Sequence, residues 1–411
     1  MPATNTKQGS ARAVFGIRSY KNFWIARVCS AMAYQIVGVA VGWQLYAITK
    51  STFALGMIGL TQFLPLLLLV LIVGHVADKV RRQSILAVCR AVEALTTLAL
   101  AVATYLHHLS PLGIFTGVAI IGAARAFENP STQAMVTTVV PEELAPSAIA
   151  WSSSANQTAS IIGPALGGFL YVAGPQVPYM TCGALFVLAS LLSVTVQLWP
   201  GTAAKSPNTA TSIFSGVHYI REHKNILGSI SLDLFAVLFG GATALLPVYA
   251  QDILHTGPWG LGLLRLSPAI GALTTSIILA HHPIRRNAGL RMFFAVIIFG
   301  LATIAFALSR SIWLSMAVLA VLGSADVVSV VIRSTLVQLE TPNEMRGRVS
   351  AVNVLFIGTS NQLGEFESGI TASWFGLIPA TILGGVGSIF VAVLWMRLFP
   401  GLRKLDRLHS R

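Results

Sequence analysis

Runs of apolar residues long enough to cross a lipid bilayer recur along almost the whole chain, from Phe23 to Phe399. A hydrocarbon core about 30 Å thick needs roughly 20 helical residues per crossing. About twelve such stretches can be marked off, the first near Phe23–Ile48, the fourth near Leu112–Val140, the sixth near Val177–Trp199 and the last near Gly376–Phe399. Inside lipid every backbone amide and carbonyl must be satisfied by the protein itself, so only helices or a closed barrel can cross. These runs are continuous and do not alternate polar with apolar residues, so helices are expected. Composition agrees. Of 411 residues 55% are hydrophobic and 10% charged, whereas soluble domains carry about a quarter charged residues.

The net charge of +13 raises the question of a nucleic-acid partner. Its distribution answers otherwise. One alternate set of loops, with both ends of the chain, collects Lys7, Arg12, Arg18 and Lys21, then Lys79, Arg81 and Arg82, then Arg221 and Lys224, then Arg285, Arg286 and Arg291. Arg346, Arg348, Arg397, Arg403 and Lys404 follow on the same side, and the opposite set receives only Lys50 and Arg310. Lys and Arg gather in cytoplasmic loops, so an even number of crossings with both termini in the cytoplasm is expected. The bilayer is then the partner that explains the cations, and no nucleic acid is called for. The first twenty residues contain no short apolar core followed by a cleavage site, so the first crossing should serve as its own signal. Cys29, Cys89 and Cys182 lie far apart inside apolar runs, which offers neither a metal site nor a disulfide framework.

The longest polar loop, rich in Thr, Ser, Ala and Pro, begins at Pro200, near the midpoint of the chain. It suggests an N-terminal six-helix half over 1–199, a cytoplasmic linker over 200–223, a second six-helix half over 224–400 and a tail over 401–411. A shift of 201 residues brings Pro141 onto Pro342, Gly163 onto Gly364, Gly168 onto Gly369, and Arg125 onto Asp326. Two related six-helix halves in one chain are a transporter architecture, with a substrate cavity near the midplane and a monomer as the working unit.

Between the second and third apolar runs lies GHVADKVRRQS, Gly74 to Ser84. With GAARAFENPSTQAMV, IIGPALGG and RGRVSAVNVLFIGTSNQLGEFESG, it resembles the major facilitator superfamily, and within it the branch of bacterial efflux permeases that includes the enterobactin exporter. The family loop carries a second Gly where Arg81 stands here. The resemblance implies an all-α membrane protein of twelve transmembrane helices in two pseudo-symmetric halves, placed in a bacterial inner membrane. It implies a cytoplasmic gate at Gly74, Asp78, Arg81 and Arg82. For Arg81 and Arg82 a plain topology-setting role is the simpler reading; for Asp78, an acid at the membrane edge, the gate is preferred. Gly163, Pro164, Gly167 and Gly168 resemble the fifth-helix motif of facilitator-type antiporters, which implies export. Small residues and a proline there also serve close helix packing.

Charged residues inside a membrane helix cost roughly 2.5–3.5 kcal/mol each at its centre, so they are functional candidates. Arg27 and Arg333 lie near cytoplasmic ends and can snorkel. Arg90 and Glu93, three apart, are expected to pair with each other. Arg125 matches the family's fourth-helix arginine, which the resemblance ties to proton coupling, and it has Glu128 beside it. Desolvation disfavours a charged carboxyl group, so Asp326 and Asp233, lone acids in apolar helices, are candidates to load and release a proton. Permanent bridges to Arg125, Arg265 or another arginine are the competing reading. Of Glu365 and Glu367, two apart and so on different faces, Glu365 is preferred for a cavity. Tyr34, Gln35, Trp43, Asn361 and Gln362 could line that cavity, or could merely bond across helices.

No phosphate-binding loop, zinc-protease helix or nucleophile elbow is present in the sequence. No cofactor, no metal and no catalytic residue is therefore expected, and the chain reads as a transporter and not an enzyme. The leading expectation is a proton-coupled exporter of a small amphipathic molecule by alternating access. The competing readings are an uptake symporter and a membrane sensor or scaffold that transports nothing.

Overall fold

The computed structural model describes residues 11–199, 209–284 and 286–406. The first six long helices are α1 (Arg18–Thr49), α2 (Thr52–Lys79), α3 (Arg82–Tyr105), α4 (Pro111–Met135), α5 (Ala145–Val172) and α6 (Val177–Val194). The next six are α7 (Lys224–Ile253), α8 (Pro258–His281), α9 (Ala288–Leu308), α10 (Ile312–Glu340), α11 (Asn343–Phe375) and α12 (Leu377–Leu398). Ten of them are long and apolar enough to cross a membrane. The exceptions, α5 and α11, have the length but carry more polar residues. The protein is an all-α membrane fold, and among the described residues there is no strand.

Local chemistry sets the helix ends. Ser110 caps α4 by accepting from the Gly113 amide at 3.2 Å, and Pro111 opens the helix where a missing N–H costs nothing. The fourth apolar run extends to Val140, yet α4 stops at Met135, and a short 3-10 turn over Glu142–Leu144 leads into α5. The sixth run likewise outlasts its helix, which ends at Val194. α7 is interrupted after Phe239 by Gly240 and Gly241, continues as a 3-10 turn, and finishes in a π turn over Tyr249–Ile253. Two glycines and Pro247 remove the preferences that would keep it regular. Gly376 joins α11 to α12 at φ +88°, a backbone state that a side chain rarely adopts.

The described residues form two compact units. The first takes the described chain through Val41 and again from Leu64 to 199; the second takes Gly42–Phe63 and the described residues from 209 onward. α1 and α2 are thus each divided, α2 just before its internal Pro65.

In the first unit α3 packs along α6 and against α4. α5 lies on α1. Tyr20 donates from its hydroxyl to the Ala148 carbonyl at 2.8 Å and Trp24 from its indole to the Trp151 carbonyl at 2.9 Å. Farther along, a Cβ on Gly163 would stand 2.5 Å from Cβ of Gln35, and one on Gly167 would stand 3.1 Å from the Ile36 carbonyl. Glycine is what lets these two helices meet so closely. At the N-terminal ends of α1 and α5, Val14, Phe23, Leu86, Met135, Val139 and Val196 form a buried cluster.

In the second unit α10 packs on α8 and α9, α9 also on α12, and α7 on α11 and α12. Leu232, Met292, Phe293, Ile332, Leu336 and Val391 fill the core among α7, α9, α10 and α12. A further helix, Thr209–Glu222, is held to α10 by the Tyr219 hydroxyl donating to the Glu340 carbonyl at 2.8 Å. Near the end of the described chain, the Asn287 amide donates to Oδ1 of Asp406 at 2.9 Å, and the Gly289 amide donates to the Leu405 carbonyl at 3.0 Å.

Candidate functional site

The first unit gathers four charged side chains from α3 and α4, with Ser30 of α1, into one buried lattice. Arg90 donates from Nε to Oε1 of Glu128 at 2.8 Å and from Nη1 to Oγ of Ser193 at 2.6 Å. Ser30 donates to the same Glu128 oxygen at 2.8 Å. Arg125 has its Nε 3.1 Å from Oε1 of Glu93 and its Nη1 3.4 Å from Oε2 of Glu128, and it donates from Nη2 to the Ser30 carbonyl at 3.1 Å. Its guanidinium also stands 4.1 Å from the centre of the Tyr34 ring. The side chains of Arg90, Glu93 and Glu128 are at most 3% exposed and that of Arg125 16%. Charges taken out of water need such geometry, because desolvation otherwise outweighs their attraction.

This corrects the expectation for α3. Arg90 and Glu93 do not pair with each other; each reaches across to α4, Arg90 to Glu128 and Glu93 to Arg125. The signal was present in the sequence: each helix carries an Arg followed by a Glu three residues later. Two such helices side by side satisfy four charges better by exchanging partners. Ser30 and Ser193 had no comparable signal.

The second unit is different. Arg333 of α10 forms an ion pair with Asp233 of α7, both largely buried. A buried ion pair, and not snorkelling, accounts for Arg333, and the pair settles which arginine meets Asp233. Asp326, two turns before Arg333 on α10, has no ion-pair partner among the described residues. It lines a cavity with roughly room for one water molecule, together with Asp233, Ser329, Val237 and Phe299. Glu365 packs against Gly59 of α2, where an added Cβ would lie 2.9 Å from its own Cβ, and Arg265 is the charged neighbour it feels. Glu367 instead accepts from the Thr371 hydroxyl at 2.8 Å on its own helix.

The remaining candidates are placed as follows. Gly163, Pro164, Gly167 and Gly168 are buried in α5. Tyr34 and Gln35 are half-buried in the first unit, where Gln35 donates to Oγ of Ser160 at 3.0 Å. Trp43 is buried within the second unit, so the structure does not group it with Tyr34. Asn361 is exposed on α11, and Gln362 beside it has a buried Oε1 without a hydrogen bond. Gly74 and Asp78 fall in the last turns of α2, and the Asp78 side chain lies outside what the structure describes. Arg81 is exposed between α2 and α3, and Arg82 is the first residue of α3.

Long apolar helices in two units, with buried ion pairs inside each, fit many membrane proteins. The profile of the transmembrane secretion effectors, a major facilitator family, matches residues 9–410. The chain belongs to this family. Relatives of this family member include the enterobactin exporter EntS of Citrobacter koseri, 24% identical over 94% of this chain and 93% of its own length. Macrolide efflux protein A of Streptococcus pyogenes is 21% identical over 94% of this chain and 97% of its own. Among solved structures, a bacterial homologue of the human lysosomal transporter Spinster superposes with a TM-score of 0.76 at 14% identity, covering 96% of this chain and 99% of that one. The fold is therefore that of the major facilitators, and the protein is a multi-pass membrane transporter and not an enzyme.

Proposed function

We propose that this transporter is a proton-coupled exporter of a small amphipathic molecule, such as a siderophore, a drug-like compound or a metabolite. It works by alternating access in a bacterial inner membrane, as a monomer with both termini in the cytoplasm. Its halves are 1–199 and 224–400, joined by the linker 200–223 and followed by the tail 401–411. Export is supported by relatives that are themselves an exporter and an efflux protein.

The observation that carries the coupling is Asp326, an acid inside an apolar helix, beside a small cavity and without a counter-ion among the described residues. Desolvation makes the charge on such a carboxyl group sensitive to its surroundings. A proton arriving from the outside would neutralise it, and its departure to the inside would accompany release of the substrate outward. Asp233, already held by Arg333, is the fixed neighbour across the cavity. Arg125 and its partners hold the first unit's helices in register through this cycle, and Asp78 with Gly74, Arg81 and Arg82 forms the cytoplasmic gate.

The test uses acidified inside-out vesicles. Candidate amphiphiles should collapse the pH gradient with the natural protein and fail to do so with Asp326→Asn. Collapse that persists in the variant moves the proton to another acid, Glu365 first. A gradient that only uptake dissipates would replace export with symport.

A further inference from the structure

α5 carries polar residues where a lipid-facing helix cannot. Ser153, Asn156 and Gln157 are exposed, and Ser160 beyond them is half-buried. Their spacing of three, four and seven puts all four on one face. The opposite flank bears Ile162 and Phe169, 44% and 53% exposed, seven residues apart and suited to lipid. The residues between these faces, Ala155, Ala159 and Gly163, are buried, and Gly163 packs on α1. Uncapped polar side chains on a crossing helix belong in a water-filled space. The polar face of α5 is therefore a wet wall.

α1 contributes to the same wall. Gln35 bonds Ser160 across the helix pair. Arg27 and Tyr34, seven residues apart, share a face of α1 turned to one side of the contact with α5, the side on which the polar face of α5 lies. Arg27 is half-buried and makes no ion pair among the described residues. Its electrostatic surroundings contain Glu128 but also Arg90 and Arg125, and those two arginines are already met by Glu93 and Glu128. Three arginines thus face two glutamates, and the cation left over is the one beside the wet wall.

We infer that Arg27, Tyr34 and Gln35 of α1, with Ser153, Asn156 and Gln157 of α5, form a ligand-anchoring patch for the anionic end of an amphipathic molecule. Arg27 meets the acidic group, Asn156 and Gln157 bond the polar atoms next to it, and Tyr34 covers an apolar or aromatic portion. A substrate of this class would carry a single acidic group and several hydrogen-bonding atoms. The inference rests on the transporter reading and names the substrate class it would serve.

The experiment measures binding of a dansyl-labelled carboxylic acid and its methyl ester to the purified full chain in nanodiscs of uncharged lipid, against empty nanodiscs. A charge-assisted contact predicts the acid to bind about tenfold tighter than the ester. Arg27→Gln should erase that preference and Arg27→Lys should keep part of it. Asn156→Ala combined with Gln157→Ala should weaken both probes alike. Size-exclusion and circular dichroism profiles check that each variant is folded. The patch is overturned by no binding of the acid above empty nanodiscs, by equal binding of acid and ester, or by a preference that survives Arg27→Gln. Binding is read without a pH gradient, so an Arg27-dependent preference stands even if proton flux fails in vesicles. A loss of preference alongside intact flux removes the patch and leaves the transporter.

Discussion

In the first unit Arg90 and Arg125 are paired with Glu93 and Glu128 across α3 and α4, and Ser30 and Ser193 add hydrogen bonds to Glu128 and Arg90. In the second, Arg333 holds Asp233 while Asp326 stands beside a small cavity with no counter-ion among the described residues. A shift of 201 residues in the sequence places Arg125 over Asp326, so two positions in register carry opposite charge. The difference teaches that a buried charge in a membrane protein can serve two ends. A lattice in which each acid has a cation fixes how helices pack. An acid without a cation is free to change its protonation, and that freedom is what coupling requires.

The largest effects should come from breaking the lattice. Glu128→Leu strips Arg90 of its carboxylate, leaves Arg125 with Glu93 alone, and should cost about 3–5 kcal/mol, read from thermal unfolding in detergent. Asp326→Asn should cost less than about 1 kcal/mol in the same assay, since no bridge is lost. Equal losses for the two variants would erase the contrast between the units. Next comes the second unit's own pair. Arg333→Met alone should destabilise by about 3–5 kcal/mol, and adding Asp233→Leu should restore most of that. A double variant as unstable as the single one would show that Arg333 does something beyond neutralising Asp233.

Packing effects are smaller. Gly163→Leu should cost about 1–3 kcal/mol, because the side chain must displace Gln35 and part α5 from α1. A neutral result would mean that the two helices are not in contact when the protein sits in a bilayer. The smallest is Ser110→Ala, which removes the cap of α4 and should cost about 1 kcal/mol in either melting or hydrogen exchange of the first turn. That value calibrates what one hydrogen bond at the membrane edge contributes, and so sharpens the reading of the buried pairs.

The crossing helices were legible because their signal is local. A run of twenty apolar residues has few fates, and Ser110-Pro111 announces a helix start wherever it occurs. The candidate site was legible only in its parts. Arg125, Glu128, Asp233 and Asp326 stand out in sequence because charge is rare inside apolar runs. Arg333 was readable only as an arginine near a helix end. That Trp43 belongs to a different unit from Tyr34, although both lie on α1, has no local signal at all.

Sequence by itself determined that this chain crosses a membrane as helices and which charged residues had to be explained. Those conclusions follow from composition and periodicity, which the solvent reads residue by residue. Only the tertiary structure decided the partners: Arg90 with Glu128, Glu93 with Arg125, Arg333 with Asp233, and Asp326 with no ion-pair partner among the described residues. An ion pair depends on which helices are neighbours and on the height at which they meet. Where α4 meets α3, glycine allows the close approach: a Cβ on Gly117 would stand 3.0 Å from the Leu100 side chain.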